Sequence, residues 1–423
     1  MKENLLHFIW KLKLFSNNYL HSTKDQLIEV ISVGNENFNS GPDFFNSKIK
    51  INGQLWVGNV EIHINSSDWY VHNHEIDENY DSIILHVVWE HDVDVYRKTN
   101  EPIVTLELKK FISKEVLLNY EKLFSKNKNW INCENDIKSI NSFVFKNWIE
   151  RLYIERLEEK SEHIQDVFAR LNNNWEATLF VLIAKNFGLK INADAFLNFA
   201  SSFDFSIVRK VSYNQQSIEA LFMGQAGLLS NNIESDYYTQ LKKTYEFLQV
   251  KFKIEPISKG QVQFFRLRPN NFPTIRFSQL ASIYHENQNL FSKLIELETL
   301  KDFYELLSVS TSKFWEDHYT FEKKSKKCSK KLTKPFIDLL LINTIVPLKF
   351  MYLKSIGKSD FSTLLSLIEQ IKPEKNAIIS KFQDLKINSV NAFETQALLQ
   401  LKNEYCNKQL CLKCSIGKEL LKN

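Results

Sequence analysis

The spacing of apolar residues changes about a third of the way along the chain. Before residue 110, apolar and polar residues alternate in short runs, and this period of two predicts β-strands. From about Ser142 onward, apolar residues recur every three or four positions beside long charged faces, as in residues 148–172, which predicts helices. The pattern therefore predicts an α+β protein, with an N-terminal α/β domain built on a mixed sheet over residues 1–125 and a larger helical domain over residues 126–423.

The N-terminal part contains one helix signal and several strand signals. Residues 1 to about 22 are amphipathic and predict an opening helix. Asn52-Gly53 lies between two alternating runs and is the strongest short signal for a hairpin. The predicted strands cover residues 26–33, 47–51, 54–65, 82–89 and 103–108.

The strand that follows this turn has a polar face and an apolar face, because side chains alternate across a strand. The apolar face is expected to enter the core, and the polar face is expected to line a cleft or meet solvent. The polar face carries Asn59, Glu61 and His63, and the apolar face carries Val60, Ile62 and Ile64.

Composition narrows the classes of function without selecting one. With 43% hydrophobic residues, the 423-residue chain can bury more than one core. Its net charge of +4 is small for this length, so any contact with nucleic acid must come from local basic patches. No apolar stretch approaches the ~18 to 20 residues of a membrane span. Five cysteines in a chain of this length do not make a disulfide scaffold. These features predict a cytoplasmic protein.

Five of the ten histidines lie between His63 and His91, close to two acidic residues at matching positions. Asp43 starts one hairpin arm and Glu61 lies near the end of the other, so both reach the same end of the sheet. Two carboxylates at ~4 Å repel by roughly 4 kcal/mol at an effective dielectric of about 20, and a bound cation relieves this repulsion. Oxygen ligands of this kind favour Mg²⁺ or Mn²⁺.

A zinc hydrolase is a second interpretation of the same region. Imidazoles combined with a carboxylate favour zinc, and His63, His72, His74 and Asp68 form such a set. No His-Glu-x-x-His helix accompanies them, and residues 66–80 are polar enough to form a loop. His86, in an apolar strand, is either a support for the metal ligands or a buried core histidine.

Pro42-Asp43 and Glu61-Ile62-His63 resemble the motifs of the PD-(D/E)xK nuclease superfamily, over roughly the first 110 residues. The resemblance implies a restriction-endonuclease-like sheet on which Asp43, Glu61 and the carbonyl of Ile62 hold a metal that activates water to cleave a phosphodiester bond. His63 stands where that family has a lysine, so it would act as a base or bind the metal. Lys48 or Lys50 would then supply the missing positive charge.

A longer string of motifs resembles an uncharacterised bacterial family that is known only as a domain of unknown function. The resemblance covers nearly the whole chain and implies that these segments form one recurring unit, without assigning an activity. The motifs are Gly41-Pro42-Asp43-Phe44, residues 58–63, Asp68-Trp69, His72-x-His74, Tyr80, residues 84–88, 224–227 and 268–273, and the C-terminal cysteines.

Cys406, Cys411 and Cys414 have a spacing that suits three ligands of one zinc ion or one iron–sulfur cluster. A fourth ligand is needed, and Cys133 and Cys328 are the two candidates. The arrangement is similar to that of some helicase-associated nucleases, in which three clustered cysteines and one distant cysteine hold a [4Fe-4S] cluster. That resemblance implies Cys133, although here the catalytic motifs precede Cys133 instead of lying between the cysteines.

Residues 264–276 combine arginines with aromatic side chains. Arg266, Arg268 and Arg276 are candidates for phosphate contacts with nucleic acid, with bases stacking on the aromatic rings, or for capping the carbonyls of a proline-rich loop. The lysine-rich run 323–331 favours a solvated loop.

These observations lead to one main hypothesis, a metal-dependent nuclease that cleaves DNA. In it Asp43 and Glu61 hold the cation and His63 assists the attacking water. The alternatives are a module that binds nucleic acid or protein without catalysis, and a zinc hydrolase.

Overall fold

The computed structural model of the protein describes residues 2–16, 20–124, 129–258 and 260–422. The chain divides into two compact units. The first comprises Met1–Trp148, Asp384–Ile387 and Leu401–Asn423, and the second comprises Ile149–Gln383 and Asn388–Gln400. The predicted boundary at residue 125 falls in 125–128, outside the described residues. The division also differs from the predicted one because the C-terminal segment belongs to the first unit.

The first unit is built on a seven-stranded mixed sheet with the strand order β1-β2-β4-β5-β6-β7, and β3 pairs with β4 beside β2. Strands β4 and β5 form an antiparallel hairpin, whereas β6 and β7 continue the sheet in parallel. The presence of this mixed sheet together with a larger helical part confirms the predicted α+β class. The strands are β1 (Leu20–His21), β2 (Leu27–Ser32), β3 (Asn35–Glu36), β4 (Phe44–Ile51), β5 (Gln54–Asn65), β6 (Ile83–Glu90) and β7 (Thr105–Glu107).

The β4–β5 hairpin turns at Asn52-Gly53, as the sequence predicts. Both turn residues have positive φ, 48° at Asn52 and 84° at Gly53, which is the conformation that a two-residue hairpin loop needs. The side chain of Asn52 also accepts a hydrogen bond from the amide of Leu27 on β2. The turn therefore fixes the register from Ile51 to Ser47, and a bulge between Ser47 and Phe44 shifts the pairing so that Phe44 meets Val60.

The opening helix is shorter than predicted. It covers only Glu3–Lys11, after which Lys13 has a φ of 50° and the chain leaves the helix. Residues 20–21 form a strand, and residues 17–19 lie outside the described residues. The apolar pattern continues past residue 11 because Phe15 and Leu20 are core residues of the sheet unit, not of a helix.

The helices in the part of the chain that the structure describes are mostly short, apart from the 29-residue α4. The division between the units falls within α4. The helices are α1 (Glu3–Lys11), α2 (Asp68–Val71), α3 (Lys114–Phe124), α4 (Ser142–Arg170), α5 (Trp175–Phe187), α6 (Leu189–Ser201), α7 (Ser206–Val211), α8 (Gln215–Gln225), α9 (Asp236–Phe252), α10 (Pro273–Glu286), α11 (Leu290–Glu296), α12 (Leu300–Leu307), α13 (Lys334–Leu340), α14 (Val346–Ser355), α15 (Ser362–Glu369), α16 (Ala377–Asp384), α17 (Ala392–Gln400) and α18 (Ser415–Lys422).

The core of the second unit is aromatic, and its central helices α5 and α10 are buried over most of their length. Phe196 and Phe277 stack with ring centroids 4.1 Å apart, and Phe199 meets Phe277 edge to face. Helix α10 begins at Pro273, five residues earlier than the predicted start near Ser278, since proline is favourable in the first turn of a helix.

One helical run among the described residues is long and apolar enough to cross a membrane, contrary to the expectation from the sequence. It covers Lys334–Ser355 and has a mean hydropathy of 1.6 over 18 residues. Asp338 and Lys349 interrupt the apolar residues of this run, so the sequence shows no continuous apolar stretch of that length. In the protein 72% of this window is buried, and a buried core helix meets the same criterion.

Candidate metal centre

The carboxylates of Asp43 and Glu61 meet at one end of the β4–β5 hairpin. Asp43 immediately precedes β4, and the pairing of Phe44 with Val60 brings it beside Glu61 on β5. The Asp43 amide donates to Glu61 Oε2 at 3.1 Å, and Asp43 Oδ2 accepts from the Ile62 amide at 2.9 Å. Each carboxylate is therefore held by the backbone of the opposite arm, so neither depends on a long side chain for its position.

Both carboxylates carry a charge at an electrostatic cost. Burial, and then the charge of Glu61, raises the pKa of Asp43 above its ordinary value. Burial likewise raises the pKa of Glu61, although the hydrogen bond from Asp43 lowers it in part. Glu61 is only 4% exposed. A cation between the two groups would remove this cost, because it favours the charged form of both.

Two imidazoles lie beside Glu61, and a third lies beside the first of them. His63 Nε2 lies 3.5 Å from Glu61 Oε1, and His74 Nε2 lies 3.3 Å from the same oxygen. His72 Nδ1 lies 3.1 Å from His63 Nε2. In the part of the chain that the structure describes, His63, His72 and His74 form the one group of three side chains whose candidate ligand atoms all lie within 4.8 Å of each other.

The polar face of β5 is buried, not solvated, because the segment after the strand folds back over it. His63 is 2% exposed and His74 is 9% exposed, whereas His72 is exposed at the mouth of the site. Burial, followed by the neighbouring imidazoles, lowers the pKa of His63 to about 2, so the ring is neutral and has a lone pair for a metal.

The turn that carries His72 and His74 is fixed by hydrogen bonds. Asp92, just beyond β6, accepts from the Ser66 hydroxyl at 2.8 Å and from the amide and hydroxyl of Ser67. Although burial acts in the opposite direction, these bonds lower the pKa of Asp92 to about 2. Asp68 Oδ2 accepts from the Asn65 amide at 2.9 Å, so Asp68 supports the start of α2 and does not join the imidazoles.

Two further contacts orient the rings. His74 stacks on Tyr80 with ring centroids 3.7 Å apart. His86, which is fully buried on β6 opposite Glu61, places Nε2 2.9 Å from His63 Nδ1. If His63 binds a metal through Nε2, its Nδ1–H donates to His86, which is the usual support of a metal-bound histidine.

The opening helix adds two residues that sequence reasoning missed. His7 Nε2 lies 3.4 Å from Asp43 Oδ2 and has no hydrogen-bond partner, although it is buried. Glu3 lies one turn earlier, 3.8 Å from His7. No motif identified them. The available signal was that the i, i+4 spacing puts an acid and a histidine on one face of an amphipathic helix.

The predicted substitutes for the family's lysine do not reach this site. Lys48 pairs with Val57, four residues before Glu61 and roughly 13 Å away along the strand. Lys50 lies farther along the hairpin and forms an ion pair with Glu29 at 3.2 Å. The cluster therefore has no lysine where the resemblance implies one.

The three candidate arginines lie in different environments. Arg266 and Arg268 are exposed in the loop before α10, and Arg266 lies over the ring of Phe265. Arg276 is 7% exposed, donates to Gln279 and Asn271, and packs on Phe336 at 3.7 Å. Its guanidinium is thus committed to the interior of the second unit.

The cysteines separate into a group of four and a single residue. Cys133, Cys406, Cys411 and Cys414 line one cavity in the first unit. Cys328 is exposed in the second unit, in the lysine-rich loop.

The carboxylate–histidine cluster, which comprises Asp43, Glu61, His63, His72 and His74, has the chemistry of a metal centre. Oxygen and neutral imidazole donors together favour Mn²⁺, Fe²⁺ or Zn²⁺, whereas Mg²⁺ is usually bound by oxygen alone. The exposed edge at His72 leaves an opening to solvent. A cation held there can bind water and substrate as well as protein.

Comparison with curated proteins gave no match, and neither did comparison with solved structures. A family model described as "Protein of unknown function (DUF2851)" matches residues 3–377. This segment contains the whole carboxylate–histidine cluster and Cys133, and it ends before the three C-terminal cysteines. It is well over half of the chain. The chain therefore belongs to the DUF2851 family.

Proposed function

We propose that the protein is a hydrolase that uses a divalent metal ion to cleave phosphodiester bonds in nucleic acid, with DNA as the expected substrate. The observation that carries the proposal is the convergence of the buried carboxylate of Glu61 and the half-buried carboxylate of Asp43 with three imidazoles at one end of the sheet. The resemblance of Pro42-Asp43 and Glu61-Ile62-His63 to nuclease motifs supplies the reaction class.

The proposed role of each residue follows from its position in the site. Glu61, His63, His72 and His74 hold the ion, and Asp43 contributes its carboxylate from the other hairpin arm. A cation bound there lowers the pKa of its water ligand and polarises a phosphoryl oxygen. His63 is buried and neutral, so its role is to bind the ion, not to stabilise negative charge as a lysine does.

The imidazole content changes the expected metal. The sequence alone favours Mg²⁺ or Mn²⁺, but the three clustered histidines favour Mn²⁺, Fe²⁺ or Zn²⁺, of which Mn²⁺ and Zn²⁺ are stable in air. We therefore expect activity with Mn²⁺ or Zn²⁺ to exceed activity with Mg²⁺.

A nuclease assay tests the proposal. The full chain is stripped with a chelator and incubated with single- and double-stranded DNA and one metal at a time, comparing wild type with Asp43→Asn and Glu61→Gln. Loss of a metal ligand removes several kcal/mol of transition-state stabilisation, so we expect a fall of about a thousandfold, equivalent to ~4 kcal/mol.

Asp25→Asn is the matched control, because its side chain is 96% exposed on the same unit and its positive φ suits asparagine. It should retain wild-type activity. Cleavage that is equal in all four proteins, or absent with every metal, would refute the nuclease proposal.

Two observations favour the alternatives. The three-histidine group favours a zinc hydrolase with a different substrate, which would bind zinc stoichiometrically and leave DNA intact. The absence of a lysine near Glu61 among the described residues favours a module that binds without catalysis. Such a module would retain DNA in a binding assay without cleaving it.

A further inference from the structure

Four of the five cysteines come together although the chain separates them widely. Cys133 lies in the turns before α4, Cys406 ends a π-helical turn over Leu401–Cys406, and Cys411 and Cys414 precede α18. Asn132 and Cys411, 279 positions apart, are joined by a hydrogen bond from Asn132 Nδ2 to the sulfur at 3.5 Å. The four sulfurs line a single cavity whose other walls include Leu123, Leu401, Tyr405 and Ile416.

The backbone around this cavity is arranged to donate to sulfur. Cys414 directly precedes α18, and the first amides of a helix, here including those of Ile416 and Gly417, have no carbonyl partner within the helix. Gly417 packs so closely that a methyl group on it would lie 2.1 Å from the Cys411 carbonyl oxygen. Amide and side-chain donors to sulfur are typical of cysteines that carry thiolate charge at a metal or cluster.

Apolar packing alone does not explain four thiols that face one another. None of them forms a disulfide. The cavity that they line contains no charged side chain among its described lining residues. Thiolates gathered there would need positive charge between them, which a bound metal centre supplies.

The spacing of the sulfurs distinguishes between the two kinds of centre. A tetrahedral zinc with Zn–S bonds of about 2.3 Å holds its sulfurs about 3.8 Å apart. Among the described side chains, no three cysteine sulfurs lie within 4.8 Å of each other, although three histidines do. Every set of three sulfurs therefore includes at least one pair that is farther apart than two ligands of one zinc ion, and this favours a polynuclear cluster.

We propose that Cys133, Cys406, Cys411 and Cys414 ligate one [4Fe-4S] cluster that fastens the C-terminal segment to the sheet unit. Lys402 supports the same junction, since it donates to the Trp130 carbonyl at 2.7 Å and lies over the Trp130 ring. Helix α18 also packs on α3. The cluster is a structural centre and is independent of the proposed hydrolase.

Metal and sulfide analysis of the full chain, purified without oxygen from iron-supplied cells, tests this assignment. We expect about four iron atoms and four sulfides per chain, brown colour and broad visible absorbance that bleaches in air. Replacing any one of the four cysteines with serine should remove most of the iron. Cys328→Ser is the matched control and should keep it, because that thiol is exposed elsewhere.

The wild-type composition decides the question even if a variant fails to fold. One zinc per chain without sulfide would overturn the cluster, and so would wild-type protein that contains no metal. Full iron content in Cys133→Ser would overturn the ligand set. Since nuclease activity is measured separately on Asp43→Asn and Glu61→Gln, a failure of either proposal leaves the other intact.

Discussion

Each of the two units buries a carboxylate, but the partners of these carboxylates differ in kind. In the second unit, Glu219 is fully buried and accepts from Tyr237 Oη at 3.0 Å, from Ser278 Oγ at 3.2 Å and from Trp315 Nε1. In the first unit, Glu61 faces Asp43, a second acceptor, and imidazoles whose neighbours are other imidazoles.

The difference shows why burial alone does not identify a functional site. Glu219 has a set of neutral donors that satisfies its oxygens, so its surroundings need no ligand. The carboxylate–histidine cluster has a surplus of acceptors, and the buried nitrogens His7 Nε2 and His86 Nδ1 lack partners. A bound cation would satisfy the surplus around Glu61, whereas the donors around Glu219 leave no such need.

The largest expected effect separates Glu219, a structural carboxylate, from Glu61, the proposed metal ligand. Glu219→Ala removes the acceptor of two fully buried donors, Ser278 Oγ and Trp315 Nε1, and opens a cavity, so we expect the free energy of unfolding to fall by about 4 kcal/mol. Metal content should be unchanged. Chemical denaturation and metal analysis measure the two quantities, and Glu234→Ala, at an exposed position, is the control. A loss of metal without a loss of stability would reverse the assignment of Glu219.

Metal binding is the next effect in size. Adding Mn²⁺ or Zn²⁺ to the metal-free protein at about 100 times its dissociation constant should raise the free energy of unfolding by about 2.7 kcal/mol. Glu61→Gln should show no such rise, because it replaces a ligand oxygen with an amide, whereas Asp25→Asn should behave as wild type. Thermal unfolding with and without metal measures the change. An equal rise in Glu61→Gln would place the ion elsewhere.

His86 tests whether a residue outside the ligand set supports the metal. His86→Leu removes the partner of His63 Nδ1 but suits the apolar strand β6, so we expect metal affinity to fall about ten- to hundredfold with little loss of stability. Calorimetric titration measures the affinity. His86→Gln should restore part of the loss, and unchanged affinity in His86→Leu would show that His63 needs no support.

The smallest effect is a pH dependence that arises from Glu219. Burial raises its pKa in the folded protein above the ordinary 4.5, despite the hydrogen bonds that oppose this shift. The folded state then binds more protons than the unfolded state, so this contribution to stability is complete below pH 4.5 and is lost as pH rises through the folded pKa. The free energy of unfolding should change by at most about 1.4 kcal/mol per pH unit because of this group.

Glu219→Gln should remove this slope. Chemical denaturation at several pH values gives the free energy of unfolding of the variant and of wild type. Subtracting one from the other at each pH removes the contributions of the other buried acids, which both proteins share. Parallel curves for the two proteins would show that Glu219 keeps its ordinary pKa.

Much of the sheet could be predicted from local signals. The turn at Asn52-Gly53 fixed the hairpin, and alternation along β5 identified Glu61 and His63 on one face. The turn sets the register only as far as Ser47, and a bulge between Phe44 and Ser47 then brings Asp43 beside Glu61. His7 could not be found in this way, because its approach to Asp43 depends on how α1 packs on β5.

The sequence by itself determined the elements whose partners lie within a few residues, including the hairpin, the buried strand β6 and the long helix α4. It also determined which residues can bind metal, since those residue types are chemical facts of the chain. Only the tertiary structure decided that Cys133 and not Cys328 joins the C-terminal cysteines, that Arg276 is buried, and that Glu61 and Glu219 have opposite surroundings. These outcomes depend on contacts between distant segments, whose formation is governed by packing over the whole unit and leaves no local pattern in the sequence.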